Sequence, residues 1–187
     1  MRFQGIASNK HSDIKIYRRI LIMSASFHVL QNKWTLWGHL PHDTEWDITS
    51  YKKICTISSV EEMIAITNSL PPALVRTCML FFMKEGINPM WEDPNNRMGG
   101  CFSYKIHNKN VYDVWMNMSY LLGGETLSNN DGFINSITGI TISPKKNFCI
   151  LKLWMKNCTY QNVSVINAEI KNLSTQGCIF KKHTPEY

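Results

Sequence analysis

Trp91 and Glu92 stand side by side in the stretch Gly86–Gly100, which opens on glycine, is stiffened by Pro89 and Pro94, and closes on Gly99-Gly100. Gly and Pro at this density mark a loop of fixed geometry rather than the interior of a helix or strand. A solvated loop is normally small and polar, yet this one carries an indole beside a carboxylate. The indole offers a flat, electron-rich face, and the ionised carboxylate only accepts hydrogen bonds. Together they suit a flat ligand with N–H donors along one edge, such as a nucleobase. The loop by itself equally allows Trp91 to plug a core with Glu92 solvated.

A second cluster lies downstream. Between Asp131 and Glu169 there is no acidic residue, while Lys145, Lys146, Lys152 and Lys156 all fall inside. This is a local positive patch suited to phosphates, or else a solvated charged face. Side chains alternate across a strand, so over Phe148–Met155 the residues Phe148, Ile150, Lys152 and Trp154 share one side. Cys149, Leu151, Leu153 and Met155 share the other. The second set is uniformly apolar and fits a helix layer. Lys152 and Trp154 together make better sense in a groove than in a core.

The elements that must hold these residues follow from the pattern. Trp34–Trp37 reads as a first strand, Gly38–Glu45 as a loop with Trp46 at its end, and Lys52–Ile57 as a second strand. Ser59-Val60-Glu61-Glu62 is a capping-box pattern opening a helix with Val60, Met63, Ile64 and Thr67 at helical spacing. That helix stops before Pro71-Pro72. Leu74–Lys84 reads as a buried strand and Gly100–Ile106 as another. Val111, Val114, Trp115, Met118 and Leu122 form the stripe of a second helix, terminated by Gly123-Gly124. Trp115 belongs to its core side. Ile134–Ile142 and Phe148–Met155 are expected as strands joined by Ser143–Asn147. Val163, Ile166, Ile170 and Leu173 predict a third helix, and Gly177–Lys182 a last short strand. The sum is an α+β fold, an antiparallel sheet with helices on one face.

Whole-chain properties bound the function. Of the net charge of +6 over 187 residues, Arg2, Lys10, Lys15, Arg18 and Arg19 against Asp13 account for most, all within residues 1–27. Those residues are expected to be a basic, flexible tail, and residues 28–187 a single domain. With only +2 left, that domain is not a bulk polyanion binder, so any nucleic-acid contact is local. Six scattered cysteines without a C-x-x-C pair argue against zinc. Sequons at Asn117, Asn157, Asn162 and Asn172 raise a secreted glycoprotein as an alternative. The apolar run Ile20–Met23 is shorter than a signal-peptide core of about 7–15 residues, so a cytoplasmic protein with reduced thiols is the default. No run approaches a membrane span of about 18 or more apolar residues.

Leu30-Gln31-Asn32-Lys33-Trp34-Thr35-Leu36-Trp37, Asn88-Pro89-Met90-Trp91-Glu92-Asp93 and Gly99-Gly100, with Trp46, Trp115 and Trp154 at compatible spacing, resemble the eukaryotic translation initiation factor 4E family, from about His28 to Lys182. The resemblance implies a curved antiparallel sheet with three helices on its convex back and a concave cleft for the 7-methylguanosine cap of mRNA. Trp46 and Trp91 correspond to the two indoles that sandwich the base. Glu92 corresponds to the carboxylate reading N1–H and the 2-amino group, with the Trp91 backbone N–H serving the base carbonyl. Trp154 corresponds to the residue touching the N7 methyl, and Lys145 to a phosphate ligand. The second phosphate ligand of the family falls at Ile150, so Lys152, two residues on and on the same face, is the expected substitute. Arg97 and Lys146 are further candidates.

The resemblance also implies a scaffold protein, or a competitor of it, docking on the helical back. The corresponding positions are His28, Val29, Leu30, Val60, Ile64, Met116, Asn117 and Tyr120. Ile64 stands where the family has its Trp anchor, and Met116-Asn117 replaces a Leu-Glu pair, so the docking face is rewritten. The expected activity is binding of capped mRNA in translation initiation, without catalysis, cofactor, metal or membrane. The alternatives are a cap-sequestering repressor, a cap-processing enzyme and the secreted glycoprotein. Against the enzyme, the sequence holds no cluster of metal-binding carboxylates and no Gly-rich cofactor loop.

Overall fold

The alternation seen along the sequence has a partner on each side of one sheet. The computed structural model describes residues 27–185, so the basic tail expected over residues 1–27 lies, but for Phe27, outside the described residues. Seven antiparallel strands run in the order β2-β1-β3-β5-β6-β4-β7. They are β1 Val29–His39, β2 Tyr51–Ser59, β3 Met79–Lys84, β4 Gly100–His107, β5 Ile137–Pro144, β6 Phe148–Met155 and β7 Ile179–Lys182. The α-helices are α1 Val60–Ser69, α2 Pro72–Thr77, α3 Val111–Gly123 and α4 Asp131–Ser136. Among the described residues no helix is long and apolar enough to cross a membrane.

One phase of each strand faces the helices. Trp34 and Leu36 of β1, Leu80 and Phe82 of β3, and Cys149, Leu151, Leu153 and Met155 of β6 share a core with Val114, Trp115 and Met118 of α3. Trp115 is fully buried and stacks on Phe82 at 5.4 Å, within 11° of parallel. The other phase forms a second cluster of Tyr51, Phe81, Met83 and Trp154, with Trp37 and Trp91 against it. That second face carries the site.

Two irregularities set which residues reach it. Between the partners of Leu36 and Trp37 the register skips Ile54. A bulge of this kind shifts the alternation by one residue. Cys55 and Ile57 therefore lie with the helix-side core, while Tyr51, of the same parity, lies in the opposite cluster. A second register shift, between Ile137 and Gly139, does the same for β5, where Ile137 and Ile140 both join the helix-side core.

α1 begins as the sequence predicts: Ser59 accepts from the Glu62 N–H at 3.1 Å. The return bond differs, since the Glu62 carboxylate takes the N–H and hydroxyl of Ser58, at 2.8 and 3.0 Å. Three expectations need correction. Leu74–Lys84 is not one strand, because Pro72 opens α2 and only Met79–Lys84 is extended; Pro is well placed in a first helical turn. Ile134 belongs to α4, whose N-terminus is capped by Asn130 accepting from the Phe133 N–H at 2.9 Å. The third helix does not form. Only Val163–Val165 makes a short 3-10 turn, and the backbone then turns outward for partners. Asn167 and Ala168 donate to the Leu127 carbonyl, and the Asn167 side chain accepts from Ser128 and Asn129. β-branched residues interleaved with Ser and Asn favour such side-chain and loop bonding over helix. Ile170 is still buried, now by a loop.

Candidate functional site

The loop carrying Trp91 is held from beneath by two buried polar side chains. Asp93 accepts from the N–H groups of Asn88 and Asn95, both at 2.9 Å. The amide of Asn96, with no exposed surface, donates to the carbonyls of Asn88 and Met90 at 3.0 and 2.9 Å. Both clamps span the segment that holds Trp91 and Glu92 and leave those two side chains half-buried. The Trp91 backbone N–H has no hydrogen-bond partner among the described residues. The Gly99-Gly100 pair is required where the chain enters β4: a Cβ on Gly99 would lie 1.7 Å from the Met155 carbonyl oxygen.

Trp46 comes from the other side, on the segment between β1 and β2. Asp47 caps the 3-10 turn that follows by accepting from the Thr49 N–H at 2.7 Å. His39, at the end of β1 and buried, binds the Glu45 carbonyl through Nε2 at 2.8 Å. It also stacks on Trp46 at 4.3 Å and 3°. Trp46 is 55% exposed, so the indole rests on one face and is open elsewhere.

Between these two indoles runs an unbroken arc of rings. Tyr51 lies 6.4 Å from Trp46 and 5.5 Å from Phe81, both edge-on. Phe81 lies 6.4 Å from Trp154, and Trp154 lies 4.9 Å from His183. His183 in turn stacks on Trp91 at 5.4 Å and 13°. Above the arc is a cleft of about 630 Å³ whose walls include Trp46, Trp91, Glu92, Lys145, Lys152 and Trp154. Six of the residues named from the sequence are thus brought together. The Lys152 ammonium lies 5.6 Å from the Trp91 ring centroid, close enough for a cation–π contact. Burial, and secondarily the Glu92 charge, push the Tyr51 hydroxyl up to about 12. Tyr51 therefore stays neutral, and the anions of the cleft are the carboxylates of Asp47 and Glu92.

Lys146 and Arg97 do not line this cleft. Lys146 faces a neighbouring pocket with Lys145, and Arg97 is exposed in the loop beyond Asn96. Sequence reasoning missed Tyr51, Phe81, His39 and His183. Phe81 was recoverable from alternation in β3; Tyr51 was hidden by the bulge, and His183 by lying 87 residues from its partner Asn96.

On the helical face, Val29, Val60 and Ile64 are exposed at 81%, 38% and 44%. Val60 donates to the His28 carbonyl, and His28 Nδ1 lies 2.7 Å from the Glu61 carboxylate. Leu30 is buried instead. Met116 and Tyr120 are half-buried and Asn117 is exposed on α3, with the Tyr120 hydroxyl donating to Asn68 of α1 at 2.8 Å.

The family described as Eukaryotic initiation factor 4E matches residues 29–186. Eukaryotic translation initiation factor 4E of Candida albicans is 30% identical over 156 residues, covering 78% of this chain and 73% of the relative. Eukaryotic translation initiation factor 4E-1 of Schizosaccharomyces pombe is 35% identical over 144 residues, covering 73% of this chain and 64% of the relative. The chain spans less than two thirds of that second relative's length. Among solved structures, C. elegans eIF4E-3 with the 4E-binding protein Mextli and a cap analog shares the fold at TM-score 0.65 and 24% identity. That match covers 74% of this chain and 80% of the other. Schistosome eIF4E complexed with m7GpppG and 4E-BP matches at TM-score 0.65 and 23% identity, over 72% and 75% of the two chains.

Proposed function

The chain belongs to the Eukaryotic initiation factor 4E family, and from that premise we propose that its cleft binds the 7-methylguanosine 5′ cap of mRNA in translation initiation. One observation carries the reading: Trp46 and Trp91, from separate loops, wall the same cleft with Glu92, Lys145 and Lys152. Methylation at N7 makes guanine cationic, so each indole face gains a cation–π contribution that unmethylated guanine lacks. Glu92 accepts from N1–H and the 2-amino group, and the unpartnered Trp91 N–H serves the base carbonyl. Trp154 forms the floor beside the methyl group, and Lys145 and Lys152 take the phosphates.

The magnitudes assign the lysines their importance. Stacking on aromatics contributes ~1–3 kcal/mol per base, and a hydrogen bond to a charged group ~1.5–3 kcal/mol. Loss of translational and rotational freedom costs an estimated 4–15 kcal/mol. The base alone is marginal, so phosphate contacts tip the balance and affinity falls with salt.

In this reading residues 28–187 act as one cap-binding domain behind a basic tail, in the cytoplasm, by binding alone with no chemical step or cofactor. The similar structures solved in complex with Mextli and 4E-BP support a protein partner, which the resemblance assigns to the α1–α3 face. A cap-sequestering repressor is favoured by a specific observation: Ile64 and Asn117 stand on that face where the resemblance implies a Trp and a carboxylate. Anchors of that type dominate interfaces. Retention on immobilised 7-methyl-GTP tests the main reading; Trp46→Ala and Trp91→Ala should each abolish most of it, and normal retention of either variant contradicts it. A helical docking peptide from the scaffold separates initiator, which binds it tightly, from repressor, which does not.

A further inference from the structure

Beside the cleft, and sharing Lys145 with it, lies a second pocket of about 590 Å³. Its charged side chains converge from three places: Arg76 in the last turn of α2, Lys109 in the 3-10 turn Asn108–Asn110 after β4, and Lys145 and Lys146 in the turn between β5 and β6. No carboxylate lines it. Among the described residues none of the four cations forms an ion pair, and all four are exposed. Like charges brought together without counter-charge repel one another unless an anion joins them. The turn that brings Lys145 and Lys146 here is fixed by Pro144 and by the Lys145 N–H donating to the Phe148 carbonyl at 2.8 Å.

We infer that this pocket receives the phosphates of the first nucleotides that follow the cap, so that Lys145 passes the RNA backbone from one site to the next. The inference rests on the reading of the neighbouring cleft as the cap site. Continuity favours RNA over another polyanion, since a chain whose first phosphates lie on Lys145 has Lys146, Lys109 and Arg76 next in reach. No aromatic side chain lines the pocket, so bases find no stacking platform there. The contact is therefore to backbone, and it adds affinity without sequence preference.

The test uses the full chain, its basic tail present in every arm. Binding of 7-methyl-GTP, a capped short RNA and the same RNA uncapped is measured over a salt series, for the wild type and for Arg76→Ala/Lys109→Ala. The inference predicts that the wild type holds capped RNA several-fold tighter than 7-methyl-GTP. The double variant should lose that gain, bind 7-methyl-GTP unchanged, and show a salt slope for capped RNA smaller by about 1.4, two single-strand phosphate contacts at ~0.7 each. Equal wild-type affinities for capped RNA and 7-methyl-GTP overturn it, as does a gain that survives in the double variant. Polyglutamate competing as well as RNA overturns the assignment to nucleic acid. If 7-methyl-GTP does not bind at all, the cap reading fails and the assignment to cap-proximal phosphates falls with it, whereas a wild type that binds 7-methyl-GTP but holds capped RNA no tighter overturns the pocket alone.

Discussion

The Trp91 indole lies 5.4 Å from the His183 imidazole and within 13° of parallel, so one wall of the cleft is braced from behind by the chain just after β7. His183 Nδ1 lies 2.7 Å from the Asn96 carbonyl, and its Nε2 is buried without a partner. A carbonyl only accepts, so Nδ1 carries the proton and Nε2 is a lone pair. Burial therefore holds the imidazole below its usual 6.5, the Asn96 bond and Glu92 oppose that shift, and Lys152 adds to it.

The sign of the pH dependence follows. A base whose folded pKa is depressed binds more protons when unfolded, so its contribution is present above about pH 6.5 and is lost as pH falls toward the folded value. His183→Phe keeps a ring against Trp91 and removes the titration. Thermal melts between about pH 7.5 and 5 should show the wild type losing more stability on acidification than the variant. Equal losses would remove His183 from the account.

Asn96→Ala strips the Asn88 and Met90 carbonyls of their buried donor. The Asn88 carbonyl keeps the Met90 N–H at 2.9 Å, so the Met90 carbonyl is the one orphaned, at a cost of about 1–3 kcal/mol. The loop that positions Trp91 should loosen, lowering the melting temperature and weakening 7-methyl-GTP binding together. Asn95→Ala, at an exposed position in the same loop, should do much less on both readouts.

Much of this arrangement was legible in the chain. Alternation along Phe148–Met155 separates Lys152 and Trp154 from the core set, and the structure agrees: Trp154 joins the second cluster and Lys152 lines the cleft, while the other set lies in the helix-side core. The α3 stripe places Trp115 in the core, where it is. Tyr51 was not legible, because its face depends on one skipped residue in the β1–β2 register. The third helix misled because Val163, Ile166, Ile170 and Leu173 have the period of a buried face, yet they lie along a loop tied to residues 127–129, and of the four only Ile170 is fully buried. His183 has no local signal; its ring is placed by Trp91, Trp154 and Asn96, all far away in sequence.

Glu92→Gln replaces an acceptor with an amide that presents a donor to donors. At ~1.5–3 kcal/mol for a charged hydrogen bond, affinity for 7-methyl-GTP should fall about ten- to a hundredfold. Glu169→Gln, on an exposed loop position, is the control in the same titration. Equal effects would deny Glu92 its reading role.

Lys145→Ala should weaken 7-methyl-GTP binding and reduce its salt dependence, since a lost cation–phosphate contact releases fewer counterions. Lys156→Ala, exposed and outside the cleft, should leave the slope unchanged. The slope of log affinity against log salt is the readout, and an unaltered slope for Lys145→Ala excludes that side chain from the phosphates.

Most directly, tryptophan fluorescence can be followed while 7-methyl-GTP and GTP are titrated into the protein. Two indole faces at ~0.5–2 kcal/mol each for the methylated cation predict saturable quenching by 7-methyl-GTP at concentrations about tenfold or more below those needed for GTP. Quenching that does not distinguish the two nucleotides would contradict a paired-indole site.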